Sequence, residues 1–340
     1  MVDSRDVARF AGVSQTTVSR VLSNSPKVKP ETRDRVMRAL AETGYSRNAV
    51  ARAMRTRRTG TIGVVVTRIT NPFYPEFIQV LSQHLDRLEL RMTLWDAEGP
   101  GESNAVEAIR QGIVDGVIFT TALQDSAALR EALQRRAPVV LVNRTVQGLQ
   151  CDQVTSENHR AGHMIADYLL RAGHRRIGLL AGPPEASTAS EREAGFRGRL
   201  AESGLLLHPE FIRVGDFTHE HGHESVRAWF GTGSRGPTAV FCVNDLIALG
   251  ALDGARARGV RVPEDLWVVG HDDIQMSSWE AFDLTTVRQP IGDMVETALR
   301  MLLARIERPD KVPEFCRFPS ELVVRGSTAH HPAQRALSAS

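Results

Sequence analysis

From Thr61 onward, short apolar runs alternate with segments of helical periodicity. The runs are apolar throughout, which is typical of strands buried on both faces of a parallel sheet. Strands joined in this way by helices predict a doubly wound α/β fold, repeated here in two lobes, with ligands bound at the carboxyl ends of the strands. The apolar runs lie at 62–66, 92–95, 116–119, 139–142, 177–180, 239–243 and 266–269, and the helical segments at 76–88, 105–111, 127–134, 161–172, 191–203, 246–258 and 293–306.

The charge of the chain is unevenly distributed, although its net charge is only +2. Residues 1–60 contain 13 Lys and Arg against 5 Asp and Glu, whereas the remaining residues contain 29 against 35. A basic segment attached to an acidic body is the pattern expected of a module that binds a polyanion. On charge alone, a basic face that is merely solvated is the alternative.

Three helices are predicted in residues 1–46. Ser4 is placed to cap the first helix, Gly12 makes a tight turn, and Ser14 caps the second helix, which runs from residue 15 to about 24. The third helix begins near Pro30 and runs over 31–42. Its inward side chains are Val36, Met37 and Leu40. Two helices joined by a short turn that contains glycine form a helix-turn-helix signature.

The second helix of such a motif lies in the major groove of DNA, with its first residues at the base edges. Glutamine pairs with adenine, arginine pairs with guanine, and a threonine methyl group contacts thymine, while hydroxyl groups and the helix N-terminus suit phosphates. The predicted DNA-binding residues of this helix are Ser14, Gln15, Thr16, Thr17, Ser19 and Arg20. A small three-helix bundle that contacts protein is the alternative.

Residues 47–60 link the basic head to the α/β body. Asn48 is a good helix N-cap, and the alanine-rich residues after it favour helix. A helix of about two turns is shorter than the roughly 12–15 residues that remain helical alone in water. Because the residues after Asn48 also include four arginines and the apolar Met54, we predict a conditional helix that forms on nucleic acid.

Residues 6–22 (DVARFAGVSQTTVSRVL), together with the arginine-rich link at 47–60, strongly resemble the LacI/GalR family of bacterial transcription regulators. The resemblance extends to about Ser327 and so covers nearly the whole chain. Two departures lie in the head and link. Met54 stands where the family usually has leucine, and Lys29 stands where it tends to have a capping serine.

The resemblance implies a repressor that binds a palindromic double-stranded DNA operator as a homodimer and responds allosterically to a small effector. It also implies that Asn48, Ala51 and Met54 contact DNA, with Met54 as an apolar wedge in the minor groove. The body is then similar to periplasmic sugar-binding proteins, whose two lobes are joined by three crossovers. Here we place these crossovers near 154–158, near 285–289 and after Pro313.

The resulting domain prediction has four parts. Residues 1–46 form the helix-turn-helix DNA-binding domain, and 47–60 form the hinge helix and linker. Residues 61–327 form the two-lobed domain for effector binding and dimerisation, and 328–340 form a disordered tail, which is small and polar.

Polar and aromatic side chains that follow the predicted strands are the candidates for effector binding. An arginine after a strand can bind sugar hydroxyls or a carboxylate with its fork of donors. By resemblance, Arg192 clamps the ligand, Phe217 is a wall of the pocket, and Asp272 accepts hydroxyl groups, although His271 replaces the usual aromatic residue before it. The candidates are Phe73, Tyr74, Asn143, Arg144, Arg192, Phe217, Asn244 and Asp272. This set favours a sugar, a sugar acid or a polyol, although an aromatic residue that opens a helix more often belongs to the core.

Other classes of site are disfavoured. The alternating histidines of His219–His223 could bind a metal ion, but by resemblance a helix begins there, so no metal site is predicted. The sequence has no glycine-rich phosphate loop and no nucleophile motif. We therefore predict neither a cofactor nor enzymatic activity. A transport-type binding protein, the remaining alternative, does not account for the DNA-binding head.

The sequence also predicts a location. Its three cysteines form no CxxC pair, the first residues do not resemble a signal peptide, and no run of 18 apolar residues is present. We expect a cytoplasmic protein without membrane association, which joins the nucleoid when it is bound to DNA.

Overall fold

A computed structural model describes residues 3–22, 25–44, 58–231 and 235–328. The chain divides into two compact units, Met1–Thr59 and Gly60–Ser340. Most of the predicted hinge helix, including Asn48, Ala51 and Met54, lies outside the described residues, as does nearly all of the predicted tail. Within the described ranges, no helix combines the length and the apolar composition needed to cross a bilayer.

The first unit contains three helices, α1 (Ser4–Phe10), α2 (Gln15–Leu22) and α3 (Pro30–Thr43). Their shared core contains Val7, Val18 and Val36, none of which is exposed. Gly12 adopts φ +62° in the turn between α1 and α2, a conformation that glycine adopts without strain. The predicted helix-turn-helix order is therefore present in this unit.

Two details of the head differ from the prediction. Asp3, not Ser4, caps α1, because its carboxylate accepts the amides of Arg5 and Asp6 while Asp6 binds the Asp3 amide in return. Met37 is 55% exposed rather than inward, and Ala39 takes the buried position on α3. The cap at Lys29 makes no side-chain hydrogen bond, as expected for lysine at this position.

The second unit begins with a lobe built on a parallel sheet of order β11-β5-β4-β3-β1-β2. Its strands are β1 (Thr61–Val66), β2 (Arg91–Asp96), β3 (Gly116–Phe119), β4 (Val139–Val142), β5 (Asp152–Ser156) and β11 (Phe315–Phe318). Its helices are α4 (Phe73–Arg87), α5 (Gly101–Arg110), α6 (Ala127–Gln134) and α11 (Ile291–Glu307). One face packs on α4 and α11 and the other on α5 and α6, which explains why β1, β3 and β4 are predominantly apolar.

The second lobe contains a parallel sheet of order β7-β6-β8-β9. Its strands are β6 (Ile177–Ala181), β7 (Ile212–Val214), β8 (Ala239–Cys242) and β9 (Trp267–Val269), and an antiparallel pair, β10 (Thr286–Arg288) and β12 (Glu321–Val323), lies beside β9. Its helices are α7 (Asn158–Arg171), α8 (Ser187–Glu202), α9 (His219–Trp229) and α10 (Asp245–Ala257). The two lobes share one continuous core.

Three segments cross between the lobes. The chain passes from β5 of the first lobe to α7 of the second, returns from β10 to α11, and crosses again between β11 and β12. The first two crossovers match the predicted positions closely, and the third follows Pro313 as predicted. Ser156 Oγ donates to Gln289 Oε1 at 2.8 Å and so joins the first two crossovers.

Glycines allow the helices of the second lobe to pack with their backbones in contact. A Cβ atom at Gly162 of α7 would lie 1.9 Å from the Arg192 carbonyl oxygen, and one at Gly195 of α8 would lie 1.8 Å from the His159 carbonyl oxygen. Since real atoms cannot approach so closely, only glycine fits at either position. This contact fixes the part of α8 that carries Arg192.

Candidate functional site

The exposed face of α2 carries the residues predicted to read bases. Gln15, Thr16 and Arg20 are exposed, whereas Val18 on the opposite face is fully buried. Ser14 Oγ accepts the Thr17 amide at 3.2 Å, which confirms the predicted helix cap. Ser14 and Arg20 thus lie at opposite ends of one exposed surface, and Thr17 and Ser19 are half-buried along its edges.

The second candidate site is a cavity between the two lobes, where strand ends from both sheets face each other. All eight predicted effector-binding residues line this cavity. They are Phe73, Tyr74, Asn143, Arg144, Arg192, Phe217, Asn244 and Asp272, and the cavity adds Asn71 and Thr188 to them. The structure thus brings the eight residues together, and their role in binding stays a prediction.

Arg192 is the most enclosed charged group of the cavity. It is 3% exposed, and its Nε donates to Asn158 Oδ1 at 2.8 Å while Nη1 donates to the Val243 carbonyl oxygen at 2.7 Å. Nη1 also lies 3.3 Å from Asp272 Oδ1. Burial lowers the pKa of Arg192, and Asp272 acts in the opposite direction. This ion pair joins α8 to the segment after β9.

Asp272 is held from several sides in an unusual backbone conformation. Its φ is +128°, and its Oδ1 accepts a hydrogen bond from Gln289 Nε2 at 2.8 Å and lies 3.1 Å from His271 Nδ1. Asn143 (φ +72°) and Arg68 (φ +45°) are further non-glycine residues of the cleft in the positive-φ region. Such conformations cost of order 1–3 kcal/mol each and tend to cluster at functional sites.

Several buried polar atoms around the cavity have no hydrogen-bond partner among the described residues. They are Asn143 Oδ1 and Arg144 Nε, which belong to lining residues, and Thr121 Oγ1, whose residue lines the adjoining space over the first lobe. Buried polar groups are nearly always paired, and each unpaired group costs about 1–3 kcal/mol. A cluster of such atoms beside a cavity therefore indicates a surface that is completed by a polar ligand.

The cavity is narrow at its centre and opens outward. The central part has a volume of only about 20 Å³, whereas the mouth of the cleft has about 340 Å³, which falls in the range of small-molecule pockets. Arg68 of the first lobe pairs with Asp216 of the second at 3.2 Å across this mouth. The sequence analysis did not select these two residues, although Arg68 and Asp216 also follow strands.

Two further hydrogen bonds connect the lobes beside the cleft. The Thr145 amide donates to Ser187 Oγ at 2.9 Å, and the Gln275 amide donates to Glu76 Oε1 at 2.7 Å. Burial raises the pKa of Glu76. These two hydrogen bonds and the Arg68–Asp216 pair are contacts between the lobes. A movement of one lobe relative to the other would therefore break or rearrange them.

Burial raises the pKa of Asp245 to about 7, and the negative charge of Asp272 adds to this rise. Burial also raises the pKa of Asp272 to about 6, while Arg192 acts in the opposite direction. Because the folded-state pKa of Asp245 lies above the unfolded value of about 3.9, its contribution to stability is complete below pH 4 and is lost as pH rises through 7. We therefore expect the free energy of unfolding of Asp245→Asn, relative to wild type, to rise by about 2–3 kcal/mol from pH 5 to pH 8. Urea titrations at several pH values measure this difference.

The control for this pH experiment is Asp265→Asn. Arg261 lowers the pKa of Asp265 to about 2, so this carboxyl is ionised in both states throughout the same pH range. The difference between this variant and wild type should be flat. A flat difference for Asp245→Asn as well would show that Asp245 is ionised in the folded protein at pH 5.

Two histidines of the histidine-rich segment are hydrogen-bonded to protein groups. His219 Nε2 lies 2.8 Å from Asp253 Oδ2, and His221 Nε2 lies 3.1 Å from the Ala181 carbonyl oxygen, so both rings contact protein groups. Burial lowers the pKa of His221. In the described part of the chain, no three or more His, Cys, Asp or Glu side chains are grouped so that they could hold a metal ion.

Comparisons with known proteins give matches to both parts of the chain. Residues 5–48 match the family model described as bacterial regulatory proteins, lacI family, and residues 166–328 match the model of a periplasmic binding protein-like domain. The ribose operon repressor of Haemophilus influenzae is 32% identical over 313 residues, which cover 92% of this chain and 94% of that protein.

Solved structures extend the similarity to the fold. The lac repressor dimer bound to operator and the anti-inducer ONPF has a TM-score of 0.84 at 28% identity, covering 97% of this chain and 99% of that one. The complex of the transcriptional regulator CelR with cellobiose has a TM-score of 0.72 at 31% identity, covering 96% of this chain and all of that one. The chain therefore belongs to the LacI family of bacterial regulatory proteins, and it is a DNA-binding transcription regulator rather than an enzyme.

Proposed function

We propose that this regulator is a repressor that binds a palindromic operator as a homodimer and changes its operator affinity when a small polar metabolite, such as a sugar or sugar acid, binds between the lobes. The observation that carries the proposal is the convergence of eight predicted residues on one cavity lined by unpartnered polar atoms. The structural relatives with bound operator and with bound cellobiose support the two halves of this proposal separately.

The DNA-binding half requires two copies of the chain. One α2 helix presents only Gln15, Thr16 and Arg20 to the bases, which is too few contacts for selectivity in a genome. Two heads related by a two-fold axis read two half-sites and so multiply this selectivity. In this arrangement Ser14, Thr17 and Ser19 hold the helix on the phosphates, and the bound protein is associated with the nucleoid.

The domains divide the work as follows in this proposal. Residues 1–46 read the DNA, residues 47–60 form the hinge helix on it, and residues 61–327 bind the effector and dimerise, while 328–340 take no part. Effector binding changes the arrangement of the lobes about the three crossovers and so changes the separation of the two hinge segments. A coupling of typically 1–3 kcal/mol between such sites alters operator affinity by roughly 5- to 150-fold.

A two-step experiment tests this function. A thermal-shift screen of sugars, sugar acids and polyols on the full-length protein identifies a ligand, and operator fragments selected from genomic DNA are then titrated with and without it. We expect one ligand that both stabilises the protein and changes operator affinity, with two protomers bound to each operator. Turnover of the ligand, or operator affinity that no ligand changes, would overturn the proposal.

The hinge proposal leads to a prediction for Met54. In Met54→Ala we expect specific operator binding to weaken by about 1–2 kcal/mol per subunit, because the apolar wedge no longer fills the opened base step, while nonspecific DNA binding changes little. Fluorescence anisotropy with operator and with scrambled DNA measures both affinities. Met37→Ala, which removes an exposed methionine from α3, is the control and should alter neither. Equal losses on both DNAs in Met54→Ala would contradict the wedge.

A further inference from the structure

The guanidinium of Arg144 is a buried charge that no carboxylate of the described residues neutralises. The residue directly follows β4 and is only 8% exposed. Its contacts are with neutral groups: Nη1 donates to the Thr121 carbonyl oxygen at 3.3 Å, the guanidinium hydrogen-bonds the Tyr74 hydroxyl, and the guanidinium carbon lies 5.9 Å from the centre of the Phe217 ring. Resting on the proposed function of the cleft, we propose that the effector is a monoanionic carboxylate, of the sugar-acid class, and that Arg144 binds its carboxylate.

The other buried arginines show what is missing at Arg144. Within the described ranges, three arginines are buried, and two of them have a carboxylate partner. Arg192 lies 3.3 Å from Asp272, and Arg305 lies 3.0 Å from Asp152. No carboxylate oxygen of the described residues lies within ion-pair distance of Arg144. A buried charge without a counter-ion is strongly unfavourable, so the environment of Arg144 favours an anion supplied from outside.

The unpartnered atoms around Arg144 fit a carboxylate that has a neighbouring hydroxyl group. Among the described residues, Arg144 Nε has no hydrogen-bond partner, and Nη1 makes only a long hydrogen bond. The Tyr74 hydroxyl is a further neutral partner of the guanidinium, so its Nε edge is the part available to a carboxylate. Asn143 Oδ1 and Thr121 Oγ1, on the ends of the adjacent strands, also lack partners among the described residues. An oxygen atom beside the guanidinium can accept a hydrogen bond from a ligand hydroxyl group, which a hydroxy acid would supply.

Arg144 also lines all three cavities of the cleft. It lines the central cavity, the mouth of about 340 Å³ and a cavity of about 320 Å³ over the strand ends of the first lobe. A ligand that enters through the mouth therefore reaches Arg144 directly. Each of the two larger spaces has the volume of a small-molecule pocket.

The charged residues of the cleft favour a ligand with one negative charge over a ligand with two. The central cavity contains Arg144, Arg192 and Asp272, which leave a single positive charge when Asp272 is ionised. The mouth contains Glu98, Glu185 and Asp216 in addition to Arg68 and Arg144. A carboxylate neutralises the central charge, whereas a phosphate dianion would bring excess negative charge against these acidic groups. The source of the anion is therefore a carboxylate rather than a phosphate ester.

Matched pairs of ligands test this proposal on the full-length protein. The probes are glucuronate with glucose, galacturonate with galactose, gluconate with glucitol, and glucose 6-phosphate as the phosphate arm, with dissociation constants measured by calorimetry. We expect at least one acid to bind about tenfold or more tightly than its neutral partner, since a charge-assisted bidentate contact is among the strongest hydrogen-bonded contacts. In Arg144→Gln this ratio should fall to within about twofold.

Two variants and one ligand-free measurement complete the test. Arg110→Gln removes the same charge from an exposed position of the first lobe and should leave the acid-to-neutral ratio unchanged. Without ligand, Arg144→Gln should be as stable as wild type or more stable, because an unpaired buried charge has been removed. A clear loss of stability in ligand-free Arg144→Gln would instead mean that groups of the protein itself stabilise the charged guanidinium.

The outcomes separate this proposal from the proposed function. Equal binding of acid and neutral sugar, an acid preference that survives Arg144→Gln, tighter binding of the phosphate ester, or no binding of any acid would overturn the carboxylate proposal while operator binding stands. Acid binding that depends on Arg144 but never changes operator affinity would support the site and overturn the regulatory role.

Discussion

Replacing Arg192 with leucine is expected to destabilise the two-lobed body by about 3–5 kcal/mol and to abolish the effector response. The guanidinium is almost fully buried and contacts Asp272, Asn158 and the Val243 carbonyl oxygen. Its loss leaves the Asp272 carboxylate buried without a cation and leaves two acceptors without a donor. Chemical denaturation measures the loss, which corresponds to a thermal midpoint lower by roughly 10 °C. Operator titration with and without effector measures the response, and effector-independent operator binding should remain close to that of wild type.

Two further variants test whether the loss of stability comes from breaking the ion pair or from any substitution of an arginine on α8. Arg197→Leu removes a half-exposed arginine of the same helix that pairs with Glu193 at 2.6 Å, and such a surface pair contributes at most about 1 kcal/mol. The double variant Arg192→Leu with Asp272→Asn no longer has a buried carboxylate without a cation. Part of the lost stability should therefore return, while the effector response stays absent. A double variant no more stable than Arg192→Leu would show that the hydrogen bonds, rather than the ion pair, stabilise this region.

Much of the body could be predicted because its central strands are buried on both faces. The boundaries of β3, β4 and α6 were predicted to the residue, and those of the other helical segments predicted in the body to within a few residues. The strands β5, β7, β10, β11 and β12 were not predicted. Three of them have only three residues, β5 consists mostly of polar residues although it is buried, and β11 has an exposed residue at every second position, so none has a continuous apolar run. Met37 was predicted to point inward with Leu40, but it is exposed, and Ala39 of α3 is buried instead.

The candidate site was predictable in its membership but not in its internal contacts. Parallel strands place their following residues at one edge of the sheet, so Asn143 and Asp272 could be selected from sequence alone. Which groups pair depends on how the crossovers bring the two sheets together. The pairing of Arg192 with Asp272, the cross-cleft pair of Arg68 with Asp216, and the absence of a carboxylate partner for Arg144 in the described residues therefore required the structure.

Replacing Arg20 with alanine is expected to weaken operator binding by about 1–3 kcal/mol at each half-site, and therefore by about thirtyfold or more for a dimer that carries the change twice. Arg20 lies one turn beyond Thr16 on the exposed face of α2, where a guanidinium can pair with the O6 and N7 atoms of guanine. The base preference at one position of each half-site should relax as well. Selection from a randomised operator library measures this preference, and anisotropy titrations measure the affinity.

The control for this prediction is Arg38→Ala, because charge alone also strengthens DNA binding. Arg38 is exposed on α3, so its loss removes the same charge from the head without touching the base-reading face. It should weaken specific and nonspecific binding alike, and reduce the dependence of binding on salt by about one phosphate contact at most. Arg20→Ala should differ from it in the preference profile. If that profile remains that of wild type, the bases are read by Gln15 and Thr16, and Arg20 acts only on the DNA backbone.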